Sequence, residues 1–189
     1  MKFRVARACL SLVGAIGLWV DAAHAQHDIR PWPARIASPP VQWMDTTGRS
    51  WSREQLQGKA VVINFWATWC APCLEELPSL QTLSDFSQGA DVQVLTVNVK
   101  DPINRVQSFM ARNAFTFAVV SDRQGDIAKQ WGVKVFPTTV LVSPQGKALW
   151  RVEGAVDWSG QEASSWIRRL QETQQLKLSN PATPGRPRS

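Results

Sequence analysis

A buried-strand pattern that runs directly into a pair of cysteines constrains the fold of this chain more than any other feature. The strand pattern is Ala60 to Trp66 (AVVINFW), a short run of β-branched and aromatic residues. After a short turn come Cys70 and Cys73, at the start of a segment whose leucines recur at helical spacing. The pattern predicts a strand–turn–helix unit with both thiols in the first turn of the helix.

The position of the cysteine pair predicts redox chemistry. Cys70 is expected at the helix N-cap, where free backbone N–H groups and the helix dipole stabilise a thiolate, the attacking species in disulfide exchange. Cys73, one turn further in, is then the resolving thiol. A structural disulfide and half of a zinc site are the alternatives. So small a disulfide loop would stabilise little. A zinc site needs further Cys or His ligands, but the other cysteine and the two histidines of the chain, Cys9, His24 and His27, all lie near its N-terminus. We expect no metal and no cofactor.

The N-terminus has the pattern of a secretory signal peptide. Met1 to Arg7 is positively charged, Ala8 to Val20 is apolar, and Ala23-His24-Ala25 places small residues before a cleavage point. The apolar run is shorter than the roughly 20 residues that a membrane-spanning helix needs. We predict a signal peptide over 1–25, cleaved after Ala25, and a periplasmic protein; an uncleaved anchor is the alternative. Cys9 would leave with the peptide.

Length and charge place further bounds on the chain. Its 189 residues suit one domain. The net charge of +6 comes without a clustered basic face, so we expect no nucleic-acid partner. We predict an extended, proline-containing leader over 26–40, a folded domain over 41–175 and a disordered, proline-rich tail over 176–189.

The order of predicted elements indicates an α/β fold. A hairpin is predicted between Val41 and Trp51, after which strands and helices alternate, a pattern typical of parallel strands joined by helical crossovers. Two strands joined by Pro144-Gln145-Gly146 then predict an antiparallel hairpin, which makes the central sheet mixed, and a last helix follows.

Three segments carry a resemblance to the thioredoxin superfamily. They are NFWATWCAPC (Asn64–Cys73), FPTT (Phe136–Thr139) and the hairpin around Pro144-Gln145-Gly146, and the resemblance covers about 41–171. Within the superfamily the chain looks most like the exported TlpA/ResA-like thiol–disulfide oxidoreductases. That narrower likeness rests on CAPCLEELP (Cys70–Pro78), the N-terminal hairpin and an extra strand and helix before Pro137.

The resemblance implies a thioredoxin-like fold and a substrate-binding surface. It implies that Pro137 is cis, packs beside the CxxC pair and helps to hold an extended substrate segment. We predict that Trp69 and Phe136 belong to the same surface, with Trp69 shaping access to the cysteines.

One departure from cytoplasmic thioredoxins concerns the proton acceptor. Those proteins carry a buried Asp in the strand where this chain has Asn64, which cannot take a proton. The TlpA/ResA-like proteins resemble this chain in having an acid three residues after the second cysteine, here Glu76. Positions 73 and 76 share a helix face, so a carboxylate at Glu76 could accept the proton of Cys73. The alternative is a solvated helix residue, like Glu75.

The expected function is an extracytoplasmic thiol–disulfide oxidoreductase, acting by family analogy as a reductase of protein disulfides. The resemblance implies electrons from a membrane thiol transporter, and relatives serve cytochrome c maturation and copper-centre assembly. We expect a monomer. Two alternatives stay open. One is a Cu(I)-binding chaperone that uses Cys70 and Cys73, although the domain lacks the downstream histidine of such proteins. The other is a peroxiredoxin-like peroxidase, which would need an arginine near its nucleophilic cysteine.

Overall fold

The computed structural model describes residues 27–87 and 91–179. Its strands are β1 (Asp28–Pro31), β2 (Gln42–Met44), β3 (Ser50–Ser52), β4 (Ala60–Trp66), β5 (Val92–Val99), β6 (Ala118–Asp122), β7 (Thr138–Val142) and β8 (Ala148–Glu153). Its helices are α1 (Arg53–Leu56), α2 (Ala71–Phe86), α3 (Ile103–Arg112), α4 (Asp126–Gln130) and α5 (Gln161–Ser179). The predicted signal peptide, 1–25, lies outside the described residues.

A mixed sheet forms the centre of the molecule and confirms the predicted thioredoxin-like α/β architecture. Its six strands have the order β1-β8-β7-β4-β5-β6, and β2 pairs with β3 in a separate two-stranded ribbon. β4, β5 and β6 run parallel, because α2 and α3 return the chain to the same end of the sheet. β7, β8 and β1 add antiparallel pairs.

β4 lies inside the sheet and has a hydrophobic core on each side. All of its residues are buried, because helices cover one face and the hairpin, α1 and α4 cover the other. Val62 and Trp66 belong to the core that contains the cysteines and α5. Ile63 and Phe65 belong to the opposite core, around Trp131. The continuous apolar run that predicted a buried strand therefore reflects burial on both faces.

The loop that follows β8 is hydrogen-bonded to the middle of α2 through Ser79. Ser79 Oγ donates to the backbone carbonyl of Glu76 at 2.7 Å and accepts the backbone N–H of Trp158 at 3.0 Å. Pro78, which lacks a backbone N–H, lies just before it inside α2. The hydroxyl of Ser79 thus joins the helix to residues 156–158, which become part of the candidate site.

Two boundaries differ from the sequence-based expectations. The predicted leader is extended, but residues 28–31 pair with β8 as an edge strand and Trp32 is buried, so the leader belongs to the sheet. The tail predicted to be disordered from 176 begins as helix, because α5 continues through Ser179. No proline lies between Gln161 and Pro181, and helical geometry is disfavoured only at the residue directly before a proline. Residues 180–189 lie outside the described residues.

Among the helices of the described segments, none combines the length and apolar character needed to cross a bilayer.

Candidate active site

The two cysteines lie at the N-terminus of α2 and form a disulfide. Their Cα atoms are 5.2 Å apart. Cys70 is the N-cap residue, with extended backbone geometry, and its Sγ accepts the backbone N–H of Cys73 at 3.3 Å. Cys70 is 7% exposed and Cys73 is fully buried. Cys70 is therefore the more accessible of the two, which is the asymmetry that a nucleophile and a resolving thiol require.

Apolar side chains form a surface at this end of the sheet. The Phe136–Pro137 peptide bond is cis, as the resemblance implies. Pro137 comes directly before β7, whose Thr138 is paired with Phe65 near the end of β4. Trp69 is 57% exposed, and its ring meets that of Phe136 edge to face at 5.7 Å. The structure thus brings together the aromatic residues predicted to bind substrate.

Glu76 is buried rather than solvated, although it follows an exposed glutamate on the same helix. Its side chain lies beneath the residues that follow β8, and the residue is 2% exposed. Oε1 accepts a hydrogen bond from Asn64 Nδ2 at 2.6 Å. Oε2 accepts the backbone N–H of Val156 at 3.1 Å and the indole N–H of Trp158 at 3.2 Å. The alternative of a solvated helix residue is therefore wrong for Glu76.

Burial controls the acidity of Glu76. Removal from water raises the pKa of its carboxyl from 4.5 to about 7, while the hydrogen bonds from Asn64, Val156 and Trp158 act in the opposite direction. Across the described part of the chain, no ion pair links Glu76 to a basic side chain. A carboxyl with this pKa can both take up and release a proton near neutral pH.

A second buried carboxylate fixes the turn between β4 and α2. Asp101 accepts the backbone N–H of Thr68 and the Thr68 hydroxyl, each at 2.7 Å, and the amide of Asn98 at 3.0 Å. These contacts hold the segment that carries Trp69 and Cys70. Sequence reasoning missed this residue. Its position at the carboxyl end of β5, parallel to β4, could have indicated it, since such ends meet at one edge of a sheet.

The partners of Glu76 were also missed. Asn64 was recognised as a polar residue in a buried strand, but only as a group unable to take a proton. Trp158 is separated from Glu76 by 82 residues, and nothing in its local sequence distinguishes it from the packing tryptophans. Its role in the site follows from the path of the chain after β8.

Comparisons with known proteins agree with this geometry. The sequence profile described as the AhpC/TSA family matches residues 36–150. The thiol-disulfide oxidoreductase ResA of Geobacillus thermodenitrificans is 36% identical over 119 residues, which cover 63% of this chain and 68% of that protein. ResA of Bacillus subtilis is 34% identical over 112 residues, 59% of this chain and 63% of that protein. The crystal structure of StoA from Bacillus subtilis superimposes with a TM-score of 0.60 at 25% identity, covering 68% of this chain and 96% of StoA.

Proposed function

Because this chain belongs to the AhpC/TSA family of the thioredoxin superfamily, we propose that its Cys70–Cys73 pair reduces disulfides in selected proteins outside the cytoplasm. The coarser activity is that of a thiol–disulfide oxidoreductase of the ResA type. The observation that carries the proposal is the disulfide at the N-terminus of α2, in which the N-cap residue Cys70 is slightly exposed and Cys73 is fully buried.

Two thiols and one partner disulfide complete the reaction. In the reduced protein, the thiolate of Cys70 attacks a sulfur of the partner disulfide, so a mixed disulfide forms and the first partner thiolate leaves. Cys73 then loses its proton and attacks Cys70 Sγ. This step releases the second partner thiolate and leaves the Cys70–Cys73 disulfide. Two electrons have passed to the partner, and an external dithiol must return them before the next cycle.

Glu76 is proposed as the acceptor of the Cys73 proton. It lies one helical turn beyond Cys73 on the same face of α2, and its pKa of about 7 suits proton uptake at neutral pH. Trp69, Phe136 and Pro137 are proposed to hold the partner segment beside Cys70. The exposed Trp69 and the half-buried Phe136 provide an apolar surface next to Cys70, and the buried Pro137 lies directly behind Phe136 in the chain.

Trapping tests the roles of the two cysteines. Cys73→Ser should accumulate mixed disulfides with exported proteins, because the resolving thiol is gone. Cys70→Ser is the matched control and should accumulate none. In the reduced protein, Cys70 should react with iodoacetamide faster than Cys73. Equal alkylation rates together with no trapped adducts would identify a structural or metal-binding pair instead.

The proposed role of Glu76 is tested by a change that keeps its shape. Glu76→Gln should slow disulfide exchange at neutral pH about 10-fold or more if the carboxyl is a general base. The defect should shrink at higher pH, where Cys73 ionises without help. Glu75→Gln, at the exposed neighbour, is the control. Indistinguishable rates for the two variants across this pH range would remove Glu76 from the mechanism.

Export, electron donor and pathway belong to the same proposal. The charged, apolar and small-residue segments of 1–25 support export to the periplasm with cleavage after Ala25. Intact mass of the protein recovered from its host tests this, and a mature protein that retains Cys9 would contradict cleavage. A membrane thiol transporter is the proposed electron donor, and cytochrome c maturation or copper-centre assembly the proposed setting. Genomic neighbours and the trapped partners test both.

The two alternatives have their own tests. A Cu(I) chaperone should bind Cu(I) when the reduced protein is titrated with it, and Cys70→Ser should abolish that binding. In the described ranges, no group of three or more His, Cys, Asp or Glu side chains could hold a metal ion. For a peroxidase, peroxide should be consumed at the expense of the dithiol. No hydrogen bond or ion pair among the described residues joins an arginine to Cys70.

A further inference from the structure

We propose that Asn64 is a positioning residue that stays hydrogen-bonded to Glu76 in both of its protonation states, by exchanging the oxygen and nitrogen of its amide. The exchange is a rotation about the last side-chain bond, so no covalent bond changes. The inference deepens the proposed role of Glu76 as proton acceptor and rests on it.

Both side-chain hydrogen bonds of Asn64 are made by its amide nitrogen, and none by its amide oxygen. The residue is fully buried in β4. Its Nδ2 donates to Glu76 Oε1 at 2.6 Å and to Thr139 Oγ1 at 2.9 Å. Its Oδ1 is buried and has no hydrogen-bond partner. This arrangement suits an ionised Glu76, because both amide hydrogens then meet acceptors, and it leaves the unused end of the amide as an acceptor.

The two oxygens of Glu76 have different partners. Oε2 accepts from the backbone N–H of Val156 and the indole N–H of Trp158, which can only donate. Oε1 is bonded to Asn64. A proton placed on Oε2 would confront two donors that cannot turn into acceptors. The proton from Cys73 therefore belongs on Oε1, which faces the one partner whose ends can be exchanged.

Protonation of Oε1 reverses the demand on Asn64. A protonated Glu76 offers an O–H where it previously accepted, so Nδ2 at 2.6 Å would become a donor facing a donor. With the amide exchanged, Oδ1 accepts the Glu76 O–H, and the Thr139 hydroxyl can donate to the same oxygen. Each state thus keeps two hydrogen bonds at Asn64 and leaves one end of the amide unused. An aspartate at this position would add a second charge, and an apolar residue would serve neither state.

Other ionisable groups near Glu76 do not supply this function. Glu75 and Asp157 line the cleft between α2 and the loop after β8, and neither hydrogen-bonds to the Glu76 carboxyl. From β7, the neighbour is the neutral hydroxyl of Thr139. Thr139 lies two residues after Pro137. Exchange of the Asn64 amide would turn the Thr139 hydroxyl from an acceptor into a donor, near the start of β7 and beside the proposed substrate surface.

Nuclear magnetic resonance of the full chain tests the exchange without reference to activity. The ¹³C shift of the Glu76 carboxyl and the side-chain ¹⁵NH₂ shifts of Asn64 should titrate with a common midpoint. Contacts from the Asn64 amide hydrogens to Thr139 should be present above that midpoint and lost below it. Amide shifts and contacts that stay constant while Glu76 titrates would overturn the proposal.

A pair of variants separates Asn64 from the cost of losing any buried asparagine. Asn64→Leu removes a charge-assisted hydrogen bond to the ionised carboxylate and a weaker neutral one to the protonated carboxyl, so the titration midpoint of Glu76 should rise by less than about one pH unit. Asn98→Leu is the matched control. Asn98 is equally buried in the neighbouring strand and has an unpartnered Oδ1, but it donates to Asp101 instead. A rise well above one pH unit in Asn64→Leu would mean that Asn64 supports the ionised form alone, and an equal rise in both variants would mean a general effect of losing a buried amide; either result would overturn the proposal.

Failure of the proposed function would look different. If Glu76→Gln leaves the rate of disulfide exchange unchanged, Glu76 is not the proton acceptor. The coupled titration of Glu76 and Asn64 would still be observed in the unaltered protein. If Asn64→Leu does not fold, the titration of the unaltered protein decides the question alone.

Discussion

Both faces of β4 pack against apolar cores, but only the face towards α2 also buries a polar pair. On the α2 face, Asn64 meets the carboxyl of Glu76. On the other face, Phe65 packs against Trp131, whose ring also contacts those of Trp32 and Trp43 at 5.9 and 6.0 Å. One strand therefore supports a polar network set within an apolar core on one face and an aromatic cluster on the other.

The aromatic cluster contributes mainly to stability, whereas the buried Asn64–Glu76 pair contributes to the proposed chemistry. The aromatic cluster joins the leader, the hairpin and α4 to the sheet through apolar contacts, which favour folding. The polar face buries a carboxyl without a basic partner, which costs stability but gives Glu76 a pKa suited to proton transfer. The apolar contacts on both faces of the sheet offset this cost.

The largest expected effect comes from opening the aromatic face. Trp131→Ala should lower the free energy of unfolding by about 3–5 kcal/mol, because it leaves a cavity beneath several rings. Urea denaturation measures this loss. The iodoacetamide reactivity of Cys70 in the folded variant should stay the same, since Trp131 belongs to the other core. A loss below about 1 kcal/mol, or altered Cys70 reactivity, would show that the two faces are not independent.

Removing the buried carboxyl should have the opposite sign and depend on pH. The pKa of Glu76 is about 7 in the folded protein and 4.5 as the ordinary value, so the folded state binds more protons between these limits. Stability from this group is complete below 4.5 and is lost as the pH rises through 7. Glu76→Gln should therefore match the unaltered protein at pH 4 and gain up to about 3 kcal/mol above pH 8.

Denaturation at both pH values measures this gain. Glu75→Gln, at an exposed neighbour, is the control and should show no such pH dependence. A Glu76→Gln variant that is less stable than the unaltered protein at high pH would mean that its hydrogen bonds outweigh the burial of the charge.

A smaller effect is expected when one donor to Glu76 is removed. Trp158→Phe keeps a ring in place but deletes the indole N–H that reaches Oε2 at 3.2 Å. The pKa of Glu76 should rise by about one pH unit, and the pH dependence of disulfide exchange should move to higher pH with it. Trp166→Phe is the matched control, since Trp166 packs against Trp158 at 6.2 Å. Equal shifts in both variants would indicate a packing effect.

The smallest effect on stability is expected at the exposed rim of the site. Trp69→Ala should change the free energy of unfolding by less than about 0.5 kcal/mol, because the ring is largely in solvent. It should raise KM for a protein disulfide while leaving the reaction with a small disulfide unchanged. Steady-state kinetics with both substrates measures this difference. Equal losses with both substrates would place Trp69 in the chemistry of Cys70 rather than in partner binding.

Much of the fold could be predicted because its signals are local. The run Ala60 to Trp66 predicted β4, and the leucines after Cys73 predicted α2. The first strand was missed because Asp28–Pro31 is short, polar and followed by further prolines, and its pairing with β8 is a long-range contact. α5 extends beyond its predicted end, because residues 176–179 are close to a proline-rich, polar tail but contain no helix breaker.

The sequence by itself determined the chemical groups and their order: two thiols one helical turn apart, an acid one turn further, and an asparagine in the strand before them. Spacing along one helix and one strand is local, so periodicity reveals it. The tertiary structure decided which of these groups loses its water. Glu75 and Glu76 are adjacent acids, and only the return of Val156 and Trp158 over α2 buries the second. A pKa depends on burial and on partners distant in the chain, and the fold alone supplies both.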